Sequence, residues 1–259
     1  MSRPAKIIAA VLAVVVLGVG AVYGYILFVK EDAPDALDSG DLDDALGGSD
    51  TTAGAEPDAT TGTDAATDAA TDAATATTTA TGGDTGDVSG AWAITQDSTL
   101  GYRVDEVLGG VDTEGAGRTN QVTGTLTIEG TSATAAEFTV DMASVTSDSS
   151  RRDGQFRDRI MSTDEFPTST FVLTAPIEFG SIPAEGEQIT AGATGDLTLR
   201  GVTQSVTFDV TAQIEGGRIG VLGSIPIVFD EWSIPEPSNG FATVKDEGLL
   251  EFVLVFERA

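Results

Sequence analysis

Four arginines lie close together near the middle of the chain: Arg151, Arg152, Arg157 and Arg159. Guanidinium groups bind phosphates and carboxylates through paired, charge-assisted hydrogen bonds. The cluster could therefore hold the phosphate or polar head group of a ligand, and Arg157 and Arg159 are the candidate contacts. The alternative is local pairing with Asp153, Asp158 and Asp164 on a solvated helix, where ion pairs contribute little.

The chain contains neither His nor Cys among its 259 residues. This excludes disulfides, thiol nucleophiles, histidine bases and the usual zinc ligands. Two carboxylates can suffice for glycoside hydrolysis, but no acidic pair here is flanked by the aromatic residues of a sugar cleft. The sequence also lacks the Asp-rich loop of a calcium site. We therefore expect no catalytic residues, no metal and no cofactor, and a protein that is not an enzyme.

The net charge of −28 argues against nucleic acid, which requires a basic face, and against docking on anionic membrane surfaces. Residues 31–88 hold 15 of the 41 acidic residues and no basic one. The remaining 26 acidic residues face 10 basic ones after residue 88, so the C-terminal part is acidic in its own right.

One helix is predicted, from about Ser150 to Met161. Asp148, Ser149 or Ser150 can cap its N-terminus, and Phe156 and Ile160 fall on one face because they lie four residues apart. The turn Glu165-Phe166-Pro167 then leads back into an extended segment.

Strands surround this helix. Apolar and polar residues alternate in Val122–Ile128 and Val202–Ile214, which is typical of strands with one buried face. In Leu249–Phe256 the period of two appears as Leu250, Phe252, Leu254 and Phe256 against Glu251, Val253 and Val255. Seven to nine such strands joined by Gly-containing turns predict an antiparallel barrel or a sandwich. The alternation alone is compatible with both.

Three segments resemble a known family. They are Arg152-Asp153 at the helix start, Phe166-Pro167-Thr168-Ser169-Thr170-Phe171 at its exit, and the Gly195–Val206 hairpin. Together they resemble the YceI-like family of lipid- and polyisoprenoid-binding proteins, over about Trp92 to Ala259. The resemblance implies a mainly β fold, an elongated eight-stranded antiparallel lipocalin-like barrel with one short helical insertion. It also implies an isoprenoid-type lipid as partner: a polyisoprenoid, an isoprenoid quinone or a similar amphiphile.

The apolar residues expected to face the barrel interior are the candidate ligand contacts. They are Leu126, Ile128, Phe138, Val140, Phe171, Leu173, Leu197, Leu199, Val206, Phe208, Val210, Phe252 and Leu254. Either they fill the barrel as a packed core, or some of them line a tunnel for an apolar chain. Burying ~300 Å² of an isoprenoid tail would contribute ~7 kcal/mol before association costs. Trp92 and Trp232 are expected to be packing residues, although Trp232 could close the barrel mouth.

Residues 1–30 are predicted to form a cytoplasmic tip and a membrane anchor. Ile7–Val29 is an uncharged run of 23 residues that would span ~34 Å as a helix, enough for a bilayer core. Arg3 and Lys6 before it place the N-terminus in the cytoplasm and the rest outside the cell membrane. The alternative is a cleaved signal peptide ending at Val19-Gly20-Ala21.

Residues 31–88 are predicted to be a disordered acidic linker rich in Thr, Ala and Asp. Thr63–Ala74 repeats Thr-Asp-Ala-Ala three times, and large apolar residues are nearly absent, so the segment cannot bury enough surface to fold. The linker could hold the domain of residues 89–259 away from the membrane, or have no defined reach.

The sequence therefore predicts a membrane-anchored, extracytoplasmic protein that sequesters or carries an apolar lipid inside a barrel. The alternative is a structural or interaction module displayed on a stalk, with a filled barrel. A carrier requires an apolar void of several hundred Å³, whereas a filled barrel packs to ordinary interior density. The sequence names no protein partner.

Overall fold

Alternating sequences form thirteen strands in the computed structural model, which describes residues 33–47, 87–238 and 242–259. In chain order the strands are β1 (Gly90–Ile94), β2 (Thr99–Leu108), β3 (Val111–Thr119), β4 (Val122–Glu129), β5 (Ser132–Asp141), β6 (Thr146–Ser147), β7 (Thr168–Ala175), β8 (Ile177–Glu178), β9 (Gln188–Leu199), β10 (Val202–Glu215), β11 (Arg218–Val228), β12 (Ala242–Val244) and β13 (Glu247–Arg258).

The described residues also form two α-helices, α1 (Ser39–Leu46) and α2 (Ser150–Gln155). The chain continues from α2 into a π-helical turn, Phe156–Ile160, so the helical segment matches the predicted one closely. Ser149 caps α2, because its hydroxyl accepts a hydrogen bond from the Arg152 amide. Short 3₁₀ turns follow β5 at Met142–Ser144 and β11 at Phe229–Trp232.

Eight strands close into a ring, which confirms the predicted antiparallel barrel. Their order is β1-β4-β5-β7-β9-β10-β11-β13, and β13 pairs back to β1. Strand β13 is longer than β1 and uses its first half, Leu249–Val253, to pair with β2 instead. Strands β3, β6 and β12 extend the sheet from β2. The end of the barrel beside β2 therefore differs from the end closed by β1.

The alternation in β13 shows how the sequence divides the inside of the barrel from the outside. Leu250, Phe252, Leu254 and Phe256 belong to the main core, as their spacing predicts. Val253 and Val255 point to the outer face, yet they are also buried, in a second apolar cluster. The outer face of β13 is therefore covered by another part of the chain.

Residues 33–47, which we call the strap, provide that cover. Leu42 and Leu46 of α1 pack on Val253 and Val255, and Leu42 has no exposed surface. The strap lies within the range predicted to be disordered, so that prediction is wrong for residues 33–47. Two leucines spaced by one helical turn suffice to dock this short helix on an apolar strand face.

The predicted anchor Ile7–Val29 and residues 48–86 lie outside the described residues. In the part of the chain that is described, no helix combines the length and apolar character needed to cross a bilayer.

Candidate functional site

Four phenylalanines form a layer across the barrel interior: Phe138 on β5, Phe171 on β7, Phe208 on β10 and Phe252 on β13. Each contacts the next in a closed cycle. The ring centroids are 5.2 Å apart for Phe138–Phe171, 5.6 Å for Phe171–Phe208, 6.1 Å for Phe208–Phe252 and 5.9 Å for Phe252–Phe138. Aromatic pairs at these separations attract one another beyond simple burial. We call this set the phenylalanine layer.

The phenylalanine layer separates two cavities. Along β13, Leu250 lines one cavity, whereas Leu254 on the far side of Phe252 lines the other. The same order holds on β5, where Val140 and Ala136 line different cavities and Phe138 between them lines both. The interior therefore holds one chamber on each side of the phenylalanine layer.

The larger chamber, the large cavity, has a volume of about 420 Å³. Ligand sites in proteins typically measure roughly 300–1,000 Å³, so this cavity has the size of a binding site. Its walls are mostly apolar and include Val140, Leu197, Leu199 and Leu250. Transfer of an apolar chain from water into this cavity would be favourable, because its apolar surface would be buried.

The smaller chamber, the small cavity, measures about 100 Å³. This is below the size typical of ligand sites. Leu254, Phe256 and Ile219 line it, beside the turn residues Gly130 and Thr131. It can hold part of a ligand but not a lipid by itself.

Polar groups are concentrated at the mouth of the large cavity, beside α2. Arg151, Arg152, Gln155 and Asp148 line this region. Arg152 donates hydrogen bonds to Asp148 and, over 3.0 Å, to Oε1 of Glu106 on β2. Because two carboxylates face this guanidinium, the mouth carries little uncompensated positive charge at Arg152.

Tyr102 and Phe156 form one wall of the large cavity. Their rings stack with centroids 5.1 Å apart and planes inclined by 9°. Burial raises the pKa of the Tyr102 phenol to about 12, while the nearby Arg152 charge opposes this shift. The phenol therefore stays neutral at physiological pH.

Of the thirteen predicted interior residues, twelve line a cavity. Val140, Leu197 and Leu199 line the large cavity. Phe138 lines both cavities. The residues that line the small cavity alone are Leu126, Ile128, Phe171, Leu173, Phe208, Val210, Phe252 and Leu254. Val206 lines neither and packs against the core.

The structure does not bring the two predicted head-group contacts to a cavity. Arg159 donates to the backbone carbonyls of Glu236 and Pro237, at 3.5 and 3.0 Å. Arg157 lies outside the lining of both cavities, and the arginines that reach the mouth are Arg151 and Arg152. Trp232 is buried as expected of a packing residue, at 2% exposure, and does not line the mouth.

Sequence reasoning missed the contribution of the first strands and of the helix to the site. Tyr102, Val104, Phe156 and Ile160 all line the large cavity. The four-residue spacing of Phe156 and Ile160 was a signal for an apolar helix face, but spacing cannot say which cavity that face meets. Among the described residues there is no group of three or more His, Cys, Asp or Glu that could hold a metal ion.

A family model described as "YceI-like domain" matches residues 92–256, which is more than half of the chain. No curated protein matches the sequence. A solved polyisoprenoid binding domain from Saccharophagus degradans, implicated in plant cell wall breakdown, is 18% identical with a TM-score of 0.53. The match covers 65% of this chain and 98% of that domain. At this identity the similarity supports the fold.

Two other solved structures are similar. BcnA from Burkholderia cenocepacia is 24% identical over 62% of this chain and 98% of that chain, with a TM-score of 0.49. A YceI protein from Campylobacter jejuni is 16% identical over 51% of this chain and 79% of that chain, with a TM-score of 0.40.

Proposed function

The chain belongs to the YceI-like family, and we propose that its barrel binds an apolar, isoprenoid-type lipid in the large cavity. The observation that carries this proposal is the apolar chamber of about 420 Å³. A barrel serving only as a structural module would be expected to fill this space with side chains. The solved domain from Saccharophagus degradans, which is described as polyisoprenoid-binding, supports the choice of ligand class.

Binding of this kind needs no catalytic group. The free energy comes from burial of the isoprenoid chain against side chains such as Leu197 and Leu250. We therefore propose a carrier or reservoir rather than an enzyme. The uncharged run Ile7–Val29 supports membrane anchoring with the barrel outside the cytoplasm.

The test is native mass spectrometry of the full chain, before and after addition of an isoprenoid quinone, with a variant that fills the large cavity. In Val140→Phe the larger side chain projects into the chamber, since Val140 faces inward and is 1% exposed. We expect an added mass on the wild type and its loss in Val140→Phe. Overpacking of a core costs typically ~1–3 kcal/mol, so the barrel should remain folded.

Val172→Phe is the matched control, because Val172 lies on the outer face of β7 with 48% exposure. It should bind as the wild type does. A wild type that takes up no isoprenoid would favour the structural module instead, and uptake by Val140→Phe equal to the wild type would place the ligand elsewhere.

A further inference from the structure

One hydroxyl inside the large cavity has no hydrogen-bond partner. Ser169 on β7 is 3% exposed and lines the large cavity. It faces inward because it lies two residues before Phe171, on the same side of the strand. Its Oγ atom is one of the few buried side-chain polar atoms left without a partner among the described residues. Buried polar groups are normally paired, so such an atom requires an explanation.

The position of Ser169 explains what could pair with it. Its strand neighbour Val140 and the nearby Leu199 are apolar wall residues of the large cavity. Phe171, next along this face of β7, belongs to the phenylalanine layer, whose member Phe138 lines the chamber and forms its floor. A ligand end that reaches the floor therefore passes the Ser169 hydroxyl.

The charges around the chamber restrict which polar group can be bound. Glu106 and Asp148 face Arg152 at the mouth, and Arg151 is exposed to water, where a charge attracts a phosphate weakly. Beside Ser169 itself, the cross-strand neighbour Val140 and the next inward residue of β7, Phe171, are both apolar. A phosphate buried there would lose its hydration without a counter-charge.

We propose that Ser169 donates a hydrogen bond to an uncharged oxygen, such as a quinone carbonyl, at the buried end of the ligand. The large cavity would then select neutral, oxygen-bearing isoprenoids over plain hydrocarbons and over isoprenoid phosphates. This inference rests on the proposed function and specifies the ligand and one contact within it.

The experiment compares three probes that share one tail: geranyl-1,4-benzoquinone, geranylbenzene and geranyl phosphate. Their affinities for the full chain are measured with the wild type, Ser169→Ala and Ser205→Ala. Ser205 is the control because it is exposed on the outer face of β10. The wild type should bind the quinone most tightly. We expect Ser169→Ala to weaken quinone binding about three- to tenfold, the usual effect of losing one hydrogen bond, and to leave geranylbenzene unchanged.

Circular dichroism checks that Ser169→Ala folds, and removal of a hydroxyl from an apolar wall should not prevent this. Equal changes for quinone and hydrocarbon, or no change for either, would overturn the role of Ser169 while leaving lipid binding intact. Tightest binding of the phosphate would overturn the preference for a neutral ligand. If the wild type bound none of the probes, the proposed function would fail and this inference with it.

Discussion

At the scale of residues, the arginine cluster shows why charge spacing alone is ambiguous. Arg152 is paired as the local alternative predicts, but its partners are Asp148 and, from a distant strand, Glu106. Asp153, an expected partner, instead accepts hydrogen bonds from the backbone and hydroxyl of Ser147. Arg159 binds backbone carbonyls. The pairing depends on which strands lie beside α2, and sequence spacing does not contain that information.

Tyr102 gives a prediction about pH. Burial raises the pKa of its phenol to about 12, above the value of about 10 in unfolded chains. The folded state therefore holds the proton more tightly, and the stabilisation is complete below about pH 10 and is lost as the pH rises towards 12. The free energy of unfolding should decrease with pH in this window, and less so in Tyr102→Phe.

Urea unfolding followed by tryptophan fluorescence, at about pH 9 and about pH 11, gives the free energy of unfolding of the wild type and of Tyr102→Phe. The free energy of unfolding of the wild type minus that of Tyr102→Phe should be lower at the higher pH. A difference that is independent of pH would show that Tyr102 titrates with an ordinary pKa.

At the scale of elements, four strands build the phenylalanine layer and glycines on neighbouring strands make room for it. A Cβ atom on Gly223 would lie 2.5 Å from the Phe252 ring, and one on Gly195 would lie 2.3 Å from the Phe171 ring. These distances are too short for any other residue without movement of the rings. In the layer, therefore, a phenylalanine on one strand faces a glycine on the neighbouring strand: Phe171 of β7 faces Gly195 of β9, and Phe252 of β13 faces Gly223 of β11.

We predict that Phe208→Ala extends the small cavity towards the large one, because it removes a ring that lines the small cavity and belongs to the closed cycle. The variant should lose about 3–5 kcal/mol of stability, as is usual for a buried Phe→Ala change. It should also gain affinity for longer isoprenoid tails relative to short ones. Binding of quinones with two and four isoprene units measures this ratio.

Phe166→Ala is the matched control, since Phe166 packs on Arg200 and Gly201 and lines neither cavity. Its preference for tail length should equal that of the wild type. An unchanged preference in Phe208→Ala would mean that the layer does not limit the ligand.

At the scale of the whole molecule, the strap ties the acidic N-terminal part to the barrel. Beyond its leucines, its backbone is held by buried charges: Arg103 donates to the carbonyl of Pro34 over 2.6 Å, and Glu251 accepts from the amide of Leu37. Arg103 and Glu251 also pair with each other at 3.3 Å on the outer face of the barrel. The strap thus shields an ion pair as well as an apolar surface.

The docked strap changes the expected role of the acidic segment. The strap ends at Gly47, beside Arg218, and the next described segment starts at Asp87, beside Arg258. Both points lie at the end of the barrel near the small cavity. Residues 48–86 therefore connect two points on the barrel and cannot separate the barrel from residue 33. If Ile7–Val29 anchors the chain, as we propose, the docked strap holds the barrel within ~14 Å of that run, since four extended residues reach no further.

We predict that Leu42→Asp releases the strap, because a charge would be buried against Val253 and Val255 without a partner. The free energy of unfolding should fall by about 2–5 kcal/mol, as for loss of a buried leucine. Limited proteolysis should then cut within residues 33–47 while the barrel stays intact. Asp44→Ala, on the exposed side of α1, should resist cleavage as the wild type does. Equal cleavage of both variants would show that Leu42 does not hold the strap.

The sequence by itself determined the parts of this protein that depend on neighbours along the chain. Period-2 alternation gave the strands and their inward faces, including Phe138, Phe208 and Phe252, and the family motifs gave the closed barrel. A capping serine and a four-residue spacing gave the helix after Ser149. These features are local, so they can be read from one chain without knowing its partners in space.

Only the tertiary structure decided how these parts combine. The phenylalanine layer exists because closure brings four distant strands into one level, and the two cavities follow from it. The strap could not be predicted from its composition, which is typical of disorder, because Leu42 and Leu46 are buried only by packing on the outer face of β13. Whether a polar group such as Ser169 is paired likewise depends on residues far away in sequence. Contacts between distant segments require closure of the barrel, and no local pattern records them.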